Sequence, residues 1–316
     1  MLIDYFDNLY SLIKNRSGLL EKVRYYSLLR NIVRIIANLI LPVYFRCTQN
    51  NPAYSLLETT RTRGRVIISF TSFPKRIHKV WLVVESILRQ QMRPDMIILW
   101  LSREQFASIE ILPVSLLRLQ DRGLQIRLCS GDIRSHKKYY YAMQEYPDDI
   151  IITIDDDIMY SSEIITLLYQ THLKNPSCIC ANYAVIPGYY KNKLLSYETW
   201  PGCYCYKVDS SEHCFISQVG FGGVLYPPGS LHPDVLKIEL ALHLTPLADD
   251  LWLYAMACLQ YTPVVYTQKR WIFLPIVYLN NVRLTDINDG EGFNDKQIAA
   301  VRRYYLKEIG RDPFAR

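Results

Sequence analysis

The residues in this chain best placed to do chemistry are three consecutive carboxylates, Asp155, Asp156 and Asp157, within YPDDIIITIDDDIMY at 146–160. An apolar run, Ile150–Ile154, leads directly into them, and apolar residues resume at Ile158. Like charges gathered at the end of a buried segment repel one another, and no basic residue stands beside them in sequence to offset this. A hard divalent cation, Mg2+ or Mn2+, bound by carboxylate oxygens would relieve the repulsion. The plainer alternative is a solvated acidic turn, with Asp157 or Ser161 capping a following helix.

Such a cluster needs elements to position it. Val66–Ser72, Met96–Leu101, Leu124–Cys129 and Ile150–Ile154 read as apolar, β-rich strands. Helical patterns fall between them at Ile77–Gln91, Leu112–Asp121 and Ser135–Glu145. Continuous apolar strands alternating with helices predict an α/β fold, a mainly parallel sheet flanked by helices. Ligands in such sheets bind beyond the carboxyl ends of the strands. That rule gathers Thr71, Ser72, Ser102 and Asp155–Asp157 on one edge.

The strand followed by Asp-x-Asp, Ile152–Asp157, resembles that of glycosyltransferases with the GT-A fold, particularly bacterial family 2-like and exostosin-like enzymes. The resemblance covers about residues 65–275. The turn Ser69-Phe70-Thr71-Ser72-Phe73-Pro74-Lys75-Arg76 is similar to the first nucleotide-contacting loop of that family. Ser135-His136-Lys137-Lys138-Tyr139 matches its central helix, and Gly220-Phe221-Gly222-Gly223-Val224 its glycine-containing segment near sugar and acceptor. Ala248-Asp249-Asp250-Leu251-Trp252 looks like the acidic pair that opens a helix, whose second acid often serves as catalytic base.

The resemblance implies a Rossmann-like nucleotide-binding GT-A domain at 62–316 after an N-terminal helical arm, and a metal-dependent transfer of sugar from a nucleoside diphosphate to a hydroxyl. It implies Asp157 as metal ligand, with Asp155 near the ribose or base or also on the metal, and Asp156 in either role. Asp250 or Asp249 would be the base, or else an N-cap favourably placed on the helix dipole. Arg76 and Lys138 would approach the pyrophosphate, unless they lie on solvated helix faces. Asp132 would bond the nucleobase or merely close a turn, and the turn is favoured. Glycines 220, 222 and 223 would allow close backbone approach or positive φ, and Gly222 and Gly223 would border the donor. Trp252 more readily packs its helix than stacks on sugar. The polar, glycine-rich stretch 288–295 would be a lid. Some relatives supply a His ligand from this end, but no His follows His243, so that ligand would be missing or be Asn or Asp.

Charge separates the chain into two parts. Residues 1–65 hold ten Lys or Arg against four acids, a surplus equal to the +6 of the whole chain. The body is therefore neutral, which argues against nucleic acid as partner. Residues 19–45 read as a basic amphipathic helix, and 46–64 as a linker with a boundary near residue 62. The helix could lie in an anionic membrane interface, pack on the body or pair with another subunit. Asp4 and Asp7 interrupt the place where an export signal's apolar core would start, so the expectation is a cytoplasmic protein with reduced thiols, peripheral at the inner face of the cell membrane. Cys178/Cys180 and Cys203/Cys205, with His213 and Cys214, match none of the usual zinc spacings. The expected partners are a nucleotide-sugar donor, a UDP-sugar above others, and a glycan or glycolipid acceptor of surface polysaccharide or lipopolysaccharide synthesis. The competing expectations are a nucleotidyltransferase, against which stands the lack of glycine in Ser69–Arg76, and a non-catalytic membrane-associated scaffold.

Overall fold

Two helices precede the sheet, α1 (Leu2–Leu12) and α2 (Tyr25–Thr48), in a computed structural model that describes residues 1–13, 25–56, 64–203, 216–268, 274–278 and 292–315. The helix expected over 19–45 is therefore seen from Tyr25 onward, and the boundary expected near residue 62 lies outside the described residues. Ile3, Phe6, Ala37, Leu41 and Phe45 share one apolar core with Val66, Ile68 and Phe70, so the arm packs on the body. Polar ties fix the contact. Asn38 donates to the carbonyl of Pro275 at 3.1 Å and accepts from the Val277 amide at 2.9 Å. Arg89 donates to the Thr48 hydroxyl at 2.8 Å.

The four apolar runs after residue 64 form strands where the sequence predicts them: β1 (Val66–Thr71), β2 (Met96–Ser102), β3 (Leu124–Cys129) and β4 (Ile150–Thr153). They pair in parallel in the order β3-β2-β1-β4. Val66, Ile68 and Phe70 enter the core shared with α2, whereas Ile67 joins Ile98, Trp100, Ala142 and Ile151 on the opposite face. Burial on both faces explains the unbroken apolar sequence.

The connecting helices are shorter than their patterns. Ile77–Lys79 is a 3-10 turn that leads into α3 (Val80–Leu88), and Arg134–His136 likewise leads into α5 (Lys137–Glu145). The helix expected at 112–121 is only α4 (Val114–Leu117) and a 3-10 turn, Gln120–Arg122, that stops at Gly123 with φ +101°. Beyond β4 come α6 (Ile164–Lys174), β5 (Ile179–Ala181), β6 (Val224–Tyr226), α7 (Ile238–Leu244), α8 (Asp249–Gln260), β7 (Val264–Tyr266) and α9 (Phe293–Ile309). The seven-stranded sheet runs β7-β5-β6-β4-β1-β2-β3. Only β6 is antiparallel to its neighbours, β4 and β5, so the expected mainly parallel α/β sheet is the one observed.

Candidate functional site

Strand β4 ends one residue before the acidic run, and its neighbours decide what faces it. The β1 strand stops at Thr71, and Ser72 follows, buried. The Ser72 hydroxyl donates to Asp156 Oδ2 at 2.5 Å. Arg76, one turn on, places Nη1 2.7 Å from Asp156 Oδ1 and 3.0 Å from Asp157 Oδ2. Its guanidinium lies 5.4 Å from the Phe73 ring centroid and 5.7 Å from that of Tyr278. The Tyr278 hydroxyl donates to the backbone carbonyls of Arg76 and Asp156. Asp156 is thus enclosed and carries a structural ion pair. Burial pushes its carboxyl up, while Arg76 and Ser72 oppose that push.

A second cation arrives from α5. Lys138, buried on the first turn, sets Nζ 2.8 Å from Asp249 Oδ2, 3.0 Å from Asp155 Oδ1 and 4.0 Å from Asp250 Oδ1. No basic residue stands beside the acidic run in sequence, which left its repulsion without a local offset. The fold corrects this: Arg76 and Lys138, remote in sequence, are drawn in against it. Even so, the five carboxylates, 155–157 with 249 and 250, outnumber these two cations by three.

Asp249 and Asp250 open α8, as expected, yet they are not alike. The Asp249 side chain is 9% exposed and that of Asp250 26%. Burial works against ionising Asp249, but Lys138 and His136 outweigh it and hold the carboxyl below the ordinary range. Burial, reinforced by the Asp249 and Asp155 charges, pushes Asp250 up to about 7 against the pull of Lys138. Two adjacent acids with divided affinities for protons leave one ionised and one poised near neutrality. Asp250 Oδ2 accepts from the Gly220 amide at 2.9 Å, whereas Oδ1 is buried without a hydrogen-bond partner.

The glycine segment has two separate physical causes. A Cβ on Gly220 would meet Asp250 Oδ1 and Lys138 Nζ at 2.8 Å each, so a larger residue here would push those side-chain ends aside. Gly223 takes φ +85° before β6, which pairs with β4 at Val224 and Thr153. Gly222 accepts from the Asn182 side-chain amide at 3.2 Å. Tyr160, which sequence reasoning missed, accepts from the Asp155 amide at 2.9 Å and donates to the Phe221 carbonyl at 3.1 Å. It ties the acidic run to the glycine segment. The signal was weak: one tyrosine three residues beyond Asp157.

Other residues singled out by type have local partners, as favoured for Asp132 and Trp252. The Thr71 hydroxyl donates to the Trp100 carbonyl at 2.8 Å and joins β1 to β2. Asp132 closes its turn, accepting from the Arg134 amide at 3.1 Å and from Gln105 at 2.6 Å and pairing with Lys137. Trp252 is buried and donates to the Val235 carbonyl, a core residue. Of the lid expected at 288–295, residues 288–291 lie outside the described residues. Asp295 accepts from the Ser196 hydroxyl at 2.5 Å and the Tyr197 amide at 2.8 Å. Those bonds give Asp295 a role other than the missing metal ligand. Cys205, His213 and Cys214 also lie outside the described residues.

No family model and no curated protein matches the sequence. Solved structures resemble the backbone. A mannosyltransferase from Pyrobaculum calidifontis in complex with GDP-Man and Mn2+ is 11% identical, with 90% of this chain and 76% of that chain covered and a TM-score of 0.48. Glucosyl-3-phosphoglycerate synthase from Mycobacterium tuberculosis in complex with Mn2+, UDP-glucose and glycerol 3-phosphate is 12% identical, covering 79% of this chain and 81% of that chain, at 0.42. CMP:2-keto-3-deoxy-manno-octonic acid synthetase complexed with CTP is 12% identical, covering 75% and 99%, at 0.40. Glycosyl and nucleotidyl transfer are both represented among these likenesses.

The donor set itself bears on a cation. Among the described residues, no three His, Cys, Asp or Glu side chains converge as a ready metal cage. Asp155 and Asp157 are partly open, with side chains 32% and 29% exposed, and both present hard oxygens. One or two carboxylates completed by phosphate oxygens and water are the usual holders of Mg2+. The residues present fit such a shared site and do not fit a cation held by protein alone.

Proposed function

We propose that the chain is a glycosyltransferase that moves a sugar from a nucleoside-diphosphate donor, a UDP-sugar above others, to a hydroxyl of a glycan or glycolipid. The observation that carries this is the pairing of two acidic groups around Lys138: the partly open run Asp155–Asp157 on one side, and Asp250, poised near neutral pH, on the other. Asp155 and Asp157 would hold Mg2+ or Mn2+ jointly with the donor's phosphates, and the ion would neutralise charge developing on the departing diphosphate. Arg76 fixes Asp157, and Lys138 fixes Asp155, so both carboxylates are oriented before the donor arrives. Asp250 takes the proton of the acceptor hydroxyl as the new bond to the sugar forms. Lys138 and the Gly220 amide hold that carboxylate in place. Asp249, kept ionised by Lys138, sustains the charge division within the pair.

The test is thermal shift of the full chain with each nucleoside diphosphate, with and without Mn2+, repeated on Asp157→Ala. Stabilisation by one nucleotide that needs the ion and is lost in the variant supports the proposal. Equal nucleotide binding by Asp157→Ala, or none by either protein, counts against it.

A further inference from the structure

The outer face of α2 is a continuous aliphatic stripe that none of the described residues covers. Leu28, Ile32, Ile35, Ile36, Leu39 and Val43 are all exposed, Leu39 by 68%. Their spacing at steps of three and four sets them along one side of the helix. The stripe spans sixteen residues, roughly 22 Å end to end at 1.5 Å rise per residue. Opposite it, Ala37, Leu41 and Phe45 are buried against the body. Such a run of large aliphatic side chains is more than scattered surface hydrophobes and marks a contact face.

Two observations identify what covers it. The helix Tyr25–Thr48 contains no acidic residue and sets exposed Arg46 at the end of the stripe, whereas Arg30 and Arg34 are half-buried on its inner side; the helix belongs to residues 1–65, which carry the chain's whole charge surplus. An aliphatic face flanked by an arginine within a basic segment suits an anionic lipid surface. Arg46, exposed, closes the stripe at its C-terminal end, and Tyr25, also exposed, stands at the other. The helix is long and apolar enough to cross a bilayer by composition. Its inner face is nevertheless committed: Asn38 bonds both Pro275 and Val277, and Arg89 holds Thr48. A helix so tied to a folded body lies along a surface instead of threading through it.

We infer that α2 seats this protein in the interfacial layer of an anionic membrane, its Leu28–Val43 stripe entering the acyl boundary and Arg46 meeting lipid headgroups. This is independent of the transferase reading. The seat keeps the body at the bilayer, the place where a lipid-linked substrate would be met.

The experiment is co-sedimentation of the full chain with vesicles of phosphatidylglycerol and phosphatidylcholine in equal parts, and with phosphatidylcholine alone. Sedimentation velocity without lipid and a thermal melt accompany it. The wild type binds the anionic vesicles, more weakly at high salt, and the neutral vesicles less. Ile35→Ser with Leu39→Ser weakens vesicle binding about tenfold or more while the melt is unchanged, because both side chains already face solvent. Arg46→Glu weakens binding to anionic vesicles alone. The inference is overturned if wild type and the double variant bind equally, or if no vesicle binds. It is also overturned if the wild type is a dimer that the double variant breaks, since a second copy then covers the stripe.

Discussion

Lys138 is the cation around which the two acidic groups are arranged, so Lys138→Met is the most searching perturbation of the site. Its Nζ stands 2.8 Å from Asp249, 3.0 Å from Asp155 and 4.0 Å from Asp250. Methionine keeps the stem's volume and removes the charge, leaving three carboxylates facing one another. Removing one partner of a buried pair costs about 3–5 kcal/mol. At roughly 2–4 °C per kcal/mol, the melting temperature should fall by roughly 6–20 °C near neutral pH. The pH dependence has a definite sign. Without Lys138 the folded-state pKa of Asp249 joins that of Asp250 above the unfolded value near 4, so the folded state binds more protons and loses stability as pH rises through that window. The deficit relative to wild type should therefore be small at about pH 5 and full at about pH 8. Adding Asp249→Asn should recover part of the loss, since it removes one repelling charge. Thermal melts of the three proteins at both pH values make the measurement. A Lys138→Met melt indistinguishable from wild type at both would refute the idea that this lysine balances the acids.

Three further outcomes follow from the same geometry. Gly220→Ala brings a Cβ to 2.8 Å from Asp250 and Lys138, so overpacking should cost about 1–3 kcal/mol in chemical denaturation and displace Asp250, lowering turnover more than donor affinity. Tyr160→Phe removes the hydroxyl shared by Asp155 and Phe221, and should lower stability by about 1–3 kcal/mol because the Asp155 amide is left without its partner. Asp250 is held up to about 7, and only its ionised form accepts a proton, so kcat/KM should rise with pH and level off above a midpoint near that value. Asp250→Asn should abolish that limb and reduce turnover by about 10²–10⁴, with donor binding intact.

The first half of the sheet was legible because β1, β2 and β4 are buried on both faces and are four to seven residues long, enough for an apolar run to stand out, while edge strand β3 alternates apolar and polar residues. The later strands β5 to β7 have three residues each, too few to show a period, and β6 reverses direction in a way no run of residues announces. Helix lengths were overread where a chain breaker stands inside the pattern, as Pro113 does within 112–121. In the site, residue types pointed to Asp155–Asp157, Arg76, Lys138 and the Asp249–Asp250 pair, and the fold brings all of them together. Their partners were not legible. Arg76 and Asp156 stand 80 positions apart, and their pairing follows from the register of β1 on β4, as does the neutralisation that the acidic run alone lacked. Thr71 and Asp132 have local bonds that a short polar side chain at a strand end or turn finds readily, and for Asp132 that bond is the turn closure the sequence favoured.

The central claim is sugar transfer with Asp250 as base, and product analysis tests it most directly. The full chain is incubated with Mn2+ and a panel of UDP-sugars and other nucleotide sugars, with and without hydroxyl acceptors, alongside Asp250→Asn. Release of the nucleoside diphosphate from one donor by the wild type, raised by an acceptor and lost in Asp250→Asn, is the expected result. Pyrophosphate formed from a nucleoside triphosphate and a sugar phosphate, with no turnover of any nucleotide sugar, would contradict it.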